Sequence, residues 1–440
     1  LSKIVVLNVG IEHTMGRPTA DEWLARSSMR QAWFADAGDI IVSPLPLPEG
    51  AVGYLADTLG FAASSVRVIT RDEVVTDELL LAPDVLDELR DAMAGQHAPW
   101  SVTACFITRG IAQLVRTLGI DPPPGLPFAA QRGSDLVSRK SHFRQLLAGA
   151  GLPLVDGCVV ESAERLRRAL HELLPLTGAV IVKRDDGAGG GGNVILSRDG
   201  GWLPGAARTQ RLTPDEVDSA SAELWEELAD IWSPMLVVEA YHIATHRFYY
   251  EYAIEDGARP AEPAHGGTIR TVPDPAIRTA ALVGIGLDLP IRLPASLLDQ
   301  ARDRCGQVAD LMARIGYRGI LNIDGILTED GEVVCNEANA RWGGGTVLHD
   351  IATRLLGAGY AETHALSSVR ELPAAPLPQL VDRITAAGLA YHPGNREGVV
   401  VLACDAARSK SMECLVIGAG RQRERAIEAE LFALLEQGSG

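Results

Sequence analysis

The stretch Leu321-Asn322-Ile323-Asp324-Gly325-Ile326-Leu327-Thr328-Glu329-Asp330-Gly331-Glu332-Val333-Val334-Cys335-Asn336-Glu337-Ala338-Asn339 carries the densest chemistry in the chain. Asp330-Gly331 between two apolar runs is a two-residue hairpin signal. That turn sets Glu329 against Glu332 and, counting back along both strands, Asp324 against Glu337 and Asn322 against Asn339. Strand side chains repeat every two residues, so these four share one face. Directly opposed carboxylates stand about 4.5–5.5 Å apart at Cβ and repel each other. A hard cation relieves that repulsion. The oxygens of Asp324, Glu337 and Asn339 suit Mg²⁺, which keeps waters and bridges phosphates. The competing reading is a solvated hairpin face, and a one-residue slip would put the two acids on opposite faces. The apolar flanks weigh against solvation, and Ala340-Arg341-Trp342-Gly343-Gly344-Gly345 brings a cation and a glycine turn directly after the acids. A buried structural salt bridge is the plainer reading of Arg341.

A second group lies at Ala179-Val180-Ile181-Val182-Lys183, an apolar strand that delivers a lysine at its end. Gly187, Gly189, Gly190, Gly191 and Gly192 follow within a few residues. Glycine lets backbone N–H groups approach phosphate oxygens, and lysine adds a point charge for the same anion. A flexible linker is the alternative. The Walker pattern G-x-x-x-x-G-K-[ST] is absent, and no helix opens after the glycines as a dinucleotide fingerprint requires. A third group, Met235-Leu236-Val237-Val238-Glu239-Ala240-Tyr241, is an apolar strand ending on an acid. His242 and His246 follow at i, i+4, but the segment is extended and lacks the Glu of a zinc helix motif.

Elements of two periods must position these groups. Over residues 1–133, apolar runs at Ile4–Val9, Ile40–Ser43, Val66–Thr70 and Val102–Thr108 alternate with helical patterns such as Asp84–Met93 and Ile111–Leu118. That is the pattern of parallel strands with crossover helices. Phe128–Gly133 reads as a loop and Ser134–Gly149 as one helix. A second α/β block holds strands at Val155–Glu161 and Ala179–Lys183, separated by a helix over Ala163–Leu174. Antiparallel strands are expected over 247–270 around Glu255-Asp256-Gly257, then a helix over Ala295–Ile315 and the acid-bearing hairpin. The Pro-rich Leu372–Pro378 reads as a linker to a last unit with strands at Gly398–Ala403 and Glu413–Ile417. Its closing helix carries a core face of Ile427, Leu431, Leu434 and Leu435.

Composition narrows the class. The 440 residues hold 40 Lys+Arg against 57 Asp+Glu, a formal net charge of −17, which argues against a general nucleic-acid binder. Hydrophobic residues at 47% and charged residues at 22% fit an ordinary globular protein. The longest apolar stretch, Thr279–Leu293, is broken by Asp288 and Pro290, so no membrane span is expected. Lys3 leads into Ile4-Val5-Val6-Leu7, too short a run for the core of a signal peptide. The six cysteines have no C-x-x-C spacing and read as reduced, buried thiols of a cytoplasmic protein. A nicotinamide oxidoreductase is disfavoured because residues 8–17, around Val9-Gly10, lack G-x-G-x-x-G.

Taken in order, these segments resemble the ATP-grasp superfamily of carboxylate–amine ligases over residues 134–360. Ser138-Arg139-Lys140-Ser141-His142-Phe143-Arg144 resembles its first helix, where a lysine reaches the nucleotide phosphates. Lys183 with its glycine loop resembles the lid over those phosphates, and Val237-Val238-Glu239-Ala240-Tyr241 the hinge that holds adenine. Asp324, Glu337 and Asn339 match the magnesium ligands, and Arg341 the arginine that follows them. Here the hinge has Glu239-Ala240 where two acids are usual, and His246 stands near the position of the acid that contacts ribose. The resemblance implies an α/β chain with an ATP-grasp fold, two α+β subdomains gripping ATP over 134–371 with the lid at about 155–240. An N-terminal α/β pre-ATP-grasp domain (1–133) precedes it and a small C-terminal α+β domain (379–440) follows.

The flanking regions, including Gly388-Leu389-Ala390-Tyr391-His392-Pro393 and Gly398-Val399-Val400-Val401-Leu402, are most similar to pheganomycin-type peptide ligases. That implies ATP and Mg²⁺ as cofactors, a guanidino-bearing amino acid activated at its carboxylate, and the N-terminal amine of a peptide as acceptor. Lys140 and Lys183 would hold phosphates, and Arg341 with Arg270 would stabilise the acyl phosphate and tetrahedral adduct. Arg270 has a structural salt bridge as its competing reading. A free amino acid or polyamine acceptor, and a nucleotide sensor without ligation, are the alternatives. A symmetric dimer is the default for assembly.

Overall fold

The computed structural model describes residues 2–8, 20–95, 99–186, 192–206, 208–230, 233–255, 262–271 and 284–436. Short apolar strands alternating with amphipathic helices build the first unit. β1 (Ser2–Val6), β2 (Ile40–Ser43), β3 (Arg67–Thr70) and β4 (Trp100–Ala104) pair in parallel in the order β3-β2-β1-β4. Both faces of this sheet are covered, as parallel sheets require. Ile4, Val6 and Ile40 pack against the helices Pro83–Met93 and Arg109–Leu118, while Val5, Leu7 and Ile41 join a core with Trp33, Leu348 and Leu402. Thr108 caps the second of these helices through Ile111 N at 3.2 Å, and Gly119 closes it in the left-handed region.

β5 (Gly157–Val160), β6 (Ala179–Arg184), β7 (Asn193–Ser197), β8 (Arg208–Arg211) and β9 (Leu236–Ala240) form a second sheet, ordered β5-β9-β6-β7-β8. The helices Ala163–Thr177 and Val217–Leu228 cover one face through Leu166, Leu170 and Leu224, packed on Val180, Val182 and Val238. The other face carries Ile181, Lys183 and Glu239.

The third sheet has eight strands. β10 (Ala244–Ile254), β11 (His265–Thr271), β12 (Gly284–Leu289), β13 (Gly319–Thr328), β14 (Val333–Asn339), β15 (Ala365–Pro373), β16 (Gly398–Asp405) and β17 (Ser411–Gly418) run in the order β14-β13-β10-β11-β12-β15-β17-β16. Every pairing in it is antiparallel. The helix Ala295–Arg314 covers one face through Ala301, Cys305, Val308 and Met312. Residues 398–418 therefore extend the central sheet, and the closing helix Arg421–Glu436 packs Ile427 and Leu431 onto its end.

Three expectations change. Phe128–Gly133 is not a loop: Leu126–Ala130 and Gly133–Ser138 are short helices, the first with Pro127 in its opening turn, where the missing N–H costs nothing. The single helix expected over Ser134–Gly149 is two, because Arg139 is extended and a new helix starts at Lys140. The Leu372–Pro378 linker shrinks to 374–376, since Pro373 ends β15 and Leu377 opens the next helix. Asp256-Gly257 of the expected turn and the glycines at 187, 189, 190 and 191 lie outside the described residues. Among the described residues all six cysteines are free, and no helix is long and apolar enough to cross a membrane.

Candidate active site

The second and third sheets face each other across a cavity of about 590 Å³. The β13–β14 hairpin supplies its acids. Asn322 pairs with Asn339 and Asp324 with Glu337, as the spacing predicts. The turn is not the expected one, however. Thr328 N bonds Glu332 O at 3.0 Å, so the loop has three residues, with Gly331 at φ 82° in the position that favours glycine. The register shifts back between Asp324 and Gly325, where Asn336 is the extra, bulged residue. One added loop residue and one bulge cancel, and the two carboxylates end up opposed.

The pair is tightly held. Asn322 Nδ2 donates to Asp324 Oδ1 at 3.0 Å, and Asn339 Nδ2 approaches Asp324 Oδ2 at 3.4 Å. Arg341 donates to Asn339 Oδ1 at 3.1 Å and lies over the Phe106 ring. Burial and the adjacent Glu337 charge push the Asp324 carboxyl well up. Burial would raise Glu337 as well, but the Lys140 ammonium at 3.2 Å overrides it and keeps this carboxyl ionised. Two part-buried acids in mutual repulsion, with amide oxygen beside them, form an all-oxygen donor set that fits a hard divalent cation.

The lysines arrive from two elements locked together by one acid. Asp185, fully buried two residues after Lys183, accepts from Ser141 N at 2.7 Å and pairs with Arg139 at 3.1 Å. Its carbonyl accepts from Lys140 N at 3.2 Å. The end of β6 thus caps the helix that opens with Lys140, which is also why that helix begins anew there. Lys183 Nζ sits 2.5 Å from Glu239 Oε2, and Arg144 donates to Glu239 Oε1 at 3.0 Å. The backbone N–H groups of Ala240 and Tyr241 are taken by Asp156 O and Ala179 O, so the hinge offers carbonyls rather than these donors. Tyr241 donates to Pro204 O at 2.7 Å, tying the hinge to the 201–206 loop that also lines the cavity.

Behind the glycine turn sits a buried polar relay. Glu251 accepts from Thr346 Oγ1 at 2.7 Å and Gly343 N at 3.1 Å, and meets His265 Nε2 at 2.9 Å. Burial alone would raise Glu251, but the His265 ring and these donors hold it low. His265 stacks on His349 at 4.4 Å between centroids. This relay fixes the turn that follows Arg341.

Comparison with known proteins bears on the fold that carries this cavity. Residues 28–120 match the family model of the pre ATP-grasp domain, and 379–431 that of the PGM1 C-terminal domain. N5-carboxyaminoimidazole synthetase from Staphylococcus aureus superposes with a TM-score of 0.56 at 13% identity, over 99% of this chain and 97% of that one. Biotin carboxylase from Campylobacter jejuni gives 0.56 at 14% identity, over 96% and 89%. L-amino acid ligase from Bacillus licheniformis gives 0.54 at 12%, over 98% and 97%. No curated protein sequence matches the chain. The fold is the ATP-grasp fold.

Within it, Lys140, Lys183, Glu239, Asp324, Glu337, Asn339 and Arg341 converge, all but Lys140 lining the cavity and Lys140 reaching it through Glu337. Ala240 and Tyr241 line it too. Two expected residues fall elsewhere. Arg270 lies on β11 between the cavity-lining Ile269 and Thr271, on the opposite face of the strand. There its guanidinium is forked on Glu428 at 2.6 and 2.8 Å. His246 is half-buried outside the cavity lining, and its ring meets Thr245 Oγ1 at 3.3 Å, because a bulge between Ala244 and His246 turns the strand. The next residue, Arg247, faces the cavity instead, half-sealed, and touches Pro204 O at 3.5 Å. Burial lowers its guanidinium. Among the described residues no carboxylate pairs with it. Arg247 and Arg370 are the cavity-lining cations that motif reading missed. No local signal marks either one: a bulge aims the first, and long-range strand pairing brings in the second.

Proposed function

We propose that the chain is an ATP-dependent carboxylate–amine ligase, joining a guanidino-bearing amino acid through its carboxylate to the N-terminal amine of a peptide. The observation that carries the reading is the convergence of Asp324, Glu337 and Asn339 with Lys140 and Lys183 beside the Glu239–Tyr241 hinge. ATP-grasp enzymes of similar fold include an L-amino acid ligase, and one N5-carboxyaminoimidazole synthetase structure contains ADP. The peptide acceptor and guanidino donor rest on the resemblance of the flanking regions.

An ionised carboxylate does not acylate an amine, because oxide is too poor a leaving group. In the first step a carboxylate oxygen attacks the γ-phosphorus and ADP leaves, giving an acyl phosphate. The amine then attacks the acyl carbon, phosphate departs, and the amine nitrogen loses its proton. Bound Mg²⁺ would neutralise charge on the phosphates during the first step. Asp324, Glu337 and Asn339 would hold it. Lys140 and Lys183 would exchange their present carboxylate partners for phosphate oxygens. Hinge carbonyls would accept the adenine amino group, and Arg247, which lines the same cavity, would donate toward the sugar. Arg341 would bind the acyl phosphate, while the opposing sheet and 201–206 loop keep water from it. Net charge −17 favours a cationic donor or peptide near the cavity.

The test is isotopic. With the donor labelled by ¹⁸O in its carboxylate, one label should pass to inorganic phosphate and the amide product should carry the other. Product formed without label in phosphate would rule out the acyl phosphate.

A further inference from the structure

The cavity runs beyond the metal acids to an end walled by Leu287, Gly344 and Arg370. Arg370 belongs to β15, next to the residues matching the C-terminal domain, and lies far along the chain from every motif above. Its Nε donates to Glu413 Oε1 at 3.1 Å. The other oxygen of Glu413 is 2.9 Å from Nε of Arg30, whose own guanidinium donates to Gly344 O. Arg30 comes from the first unit, on the helix Ala20–Ala32, and Glu413 from β17. Two guanidinium groups therefore share one carboxylate and leave one positive charge over.

The spare charge is directed. Arg30 is sealed at 14% side-chain exposure, whereas Arg370 keeps 31% and lines the cavity. Among the described residues, only Nε of Arg370 donates to a protein acceptor, so its two Nη groups are left as a fork. The backbone is bent to aim it. Val369 pairs with Cys414 and Leu372 with Met412, so Arg370 and Glu371 together oppose Glu413 in a bulge. Glu371 sits at φ 57°, the left-handed region that a glutamate rarely adopts. It is held there by Arg26, one helical turn before Arg30, at 2.5 Å. A planar guanidinium with its Nη1–Nη2 edge free and a neighbouring cation matches the geometry of a carboxylate.

We infer that Arg370, positioned by Glu413 and Arg30, docks a substrate carboxylate at the end of the cavity beyond Arg341 and the Gly343-Gly344 turn. This rests on the ligase reading and deepens it. Arg370 is the contact; Glu413 and Arg30 are positioning residues. The reading gives the C-terminal strands a task, since β17 supplies the acid that orients the fork. The carboxylate has two sources, the donor acid and the C-terminus of a peptide acceptor.

Calorimetric titration of the full chain, loaded with Mg²⁺ and a non-hydrolysable ATP analogue, tests it. The probes are guanidinoacetate, L-arginine and tri-alanine, each beside its carboxamide. The expected result is binding of at least one acid and at least tenfold weaker binding of its amide. Arg370→Ala should lose at least tenfold in that acid's affinity, and Glu413→Gln should lose part of it. Arg370→Lys should recover part, with affinity for the ATP analogue unchanged within twofold. Which probe responds, amino acid or tripeptide, identifies the source. Equal binding of acids and amides, no binding of any acid, or unchanged acid affinity in a folded Arg370→Ala or Arg370→Lys protein would overturn the inference. ADP release on the same samples separates the two readings: acid binding that depends on Arg370 without turnover would count against the ligase alone.

Discussion

Lys140 Nζ lies 3.2 Å from Glu337 Oε2, so the ammonium assigned to phosphate rests on a carboxylate assigned to the metal. The same exchange recurs between Lys183 and Glu239 at 2.5 Å. Lys140, Lys183 and Glu239 are buried and Glu337 is part-buried, and unpaired charge there is costly. Nucleotide and Mg²⁺ would arrive as a matched set, phosphate for the lysines and cation for the acids. Binding of either alone would leave buried charge uncompensated, so the two should bind cooperatively.

Glu337→Gln separates this account from a structural role. It removes a metal ligand and the charged partner of Lys140, but the amide oxygen still accepts from that ammonium and the repulsion on Asp324 is relieved, so folding should change by about 1–2 kcal/mol. Turnover should fall by roughly a hundredfold or more, the scale of losing transition-state charge stabilisation. Thermal unfolding beside kcat measures both. A loss in stability large enough to explain the lost activity would remove Glu337 from the chemistry.

Arg341 and Arg270 should part company. Arg270 is forked on Glu428 away from the cavity, and Arg270→Ala leaves that buried carboxylate to Arg425 and Ser367, costing about 1–3 kcal/mol. Arg341→Ala should lose kcat with less effect on stability. Urea denaturation of both variants distinguishes them, and equal kcat losses in the folded proteins would restore Arg270 to the site.

Asp185 couples the two lysines. Asp185→Asn should cost roughly 1–2 kcal/mol, because it weakens the cap on Ser141 and the pair with Arg139. Since both lysines depend on that joint, KM for ATP should rise as well. An unchanged KM in a destabilised variant would mean that the joint does not position them.

Acid should destabilise the fold through His349. Burial, aided by the neighbouring His265, pulls its pKa down to about 4, below its ordinary value of 6.5. The unfolded chain then binds the proton first, so stability is full above about pH 6.5 and falls as pH drops toward 4. Discounted for partial exposure, the loss is about 1–2 kcal/mol. Unfolding midpoints across pH 4–7 should slope less in His349→Gln, which keeps a partner for Tyr360.

What the sequence could carry was local. Lys183, Glu239, Asp324, Glu337 and Arg341 stand in short motifs whose spacing fixes their chemistry, and strand alternation placed the acids on one face. The hairpin shows the limit: its turn is one residue longer than Asp330-Gly331 implies, and only the Asn336 bulge restores the register. No periodicity reveals a bulge, so nothing local in the sequence points to Arg247 rather than His246 as the cavity-lining residue. Arg370 and Arg270 depend on β17 and the closing helix folding back over distances of 43 and 158 residues, and nothing beside them in the chain marks those partners.

Release of ADP with Mg-ATP, across guanidino and amino acids with and without short peptides, tests the central claim most directly. ADP should appear only when an acid and an amine are both present, and Glu337→Gln should abolish it. ADP release independent of both, or tight ATP binding with no turnover for any acid–amine pair, would contradict a ligase and leave a nucleotide-binding protein in its place.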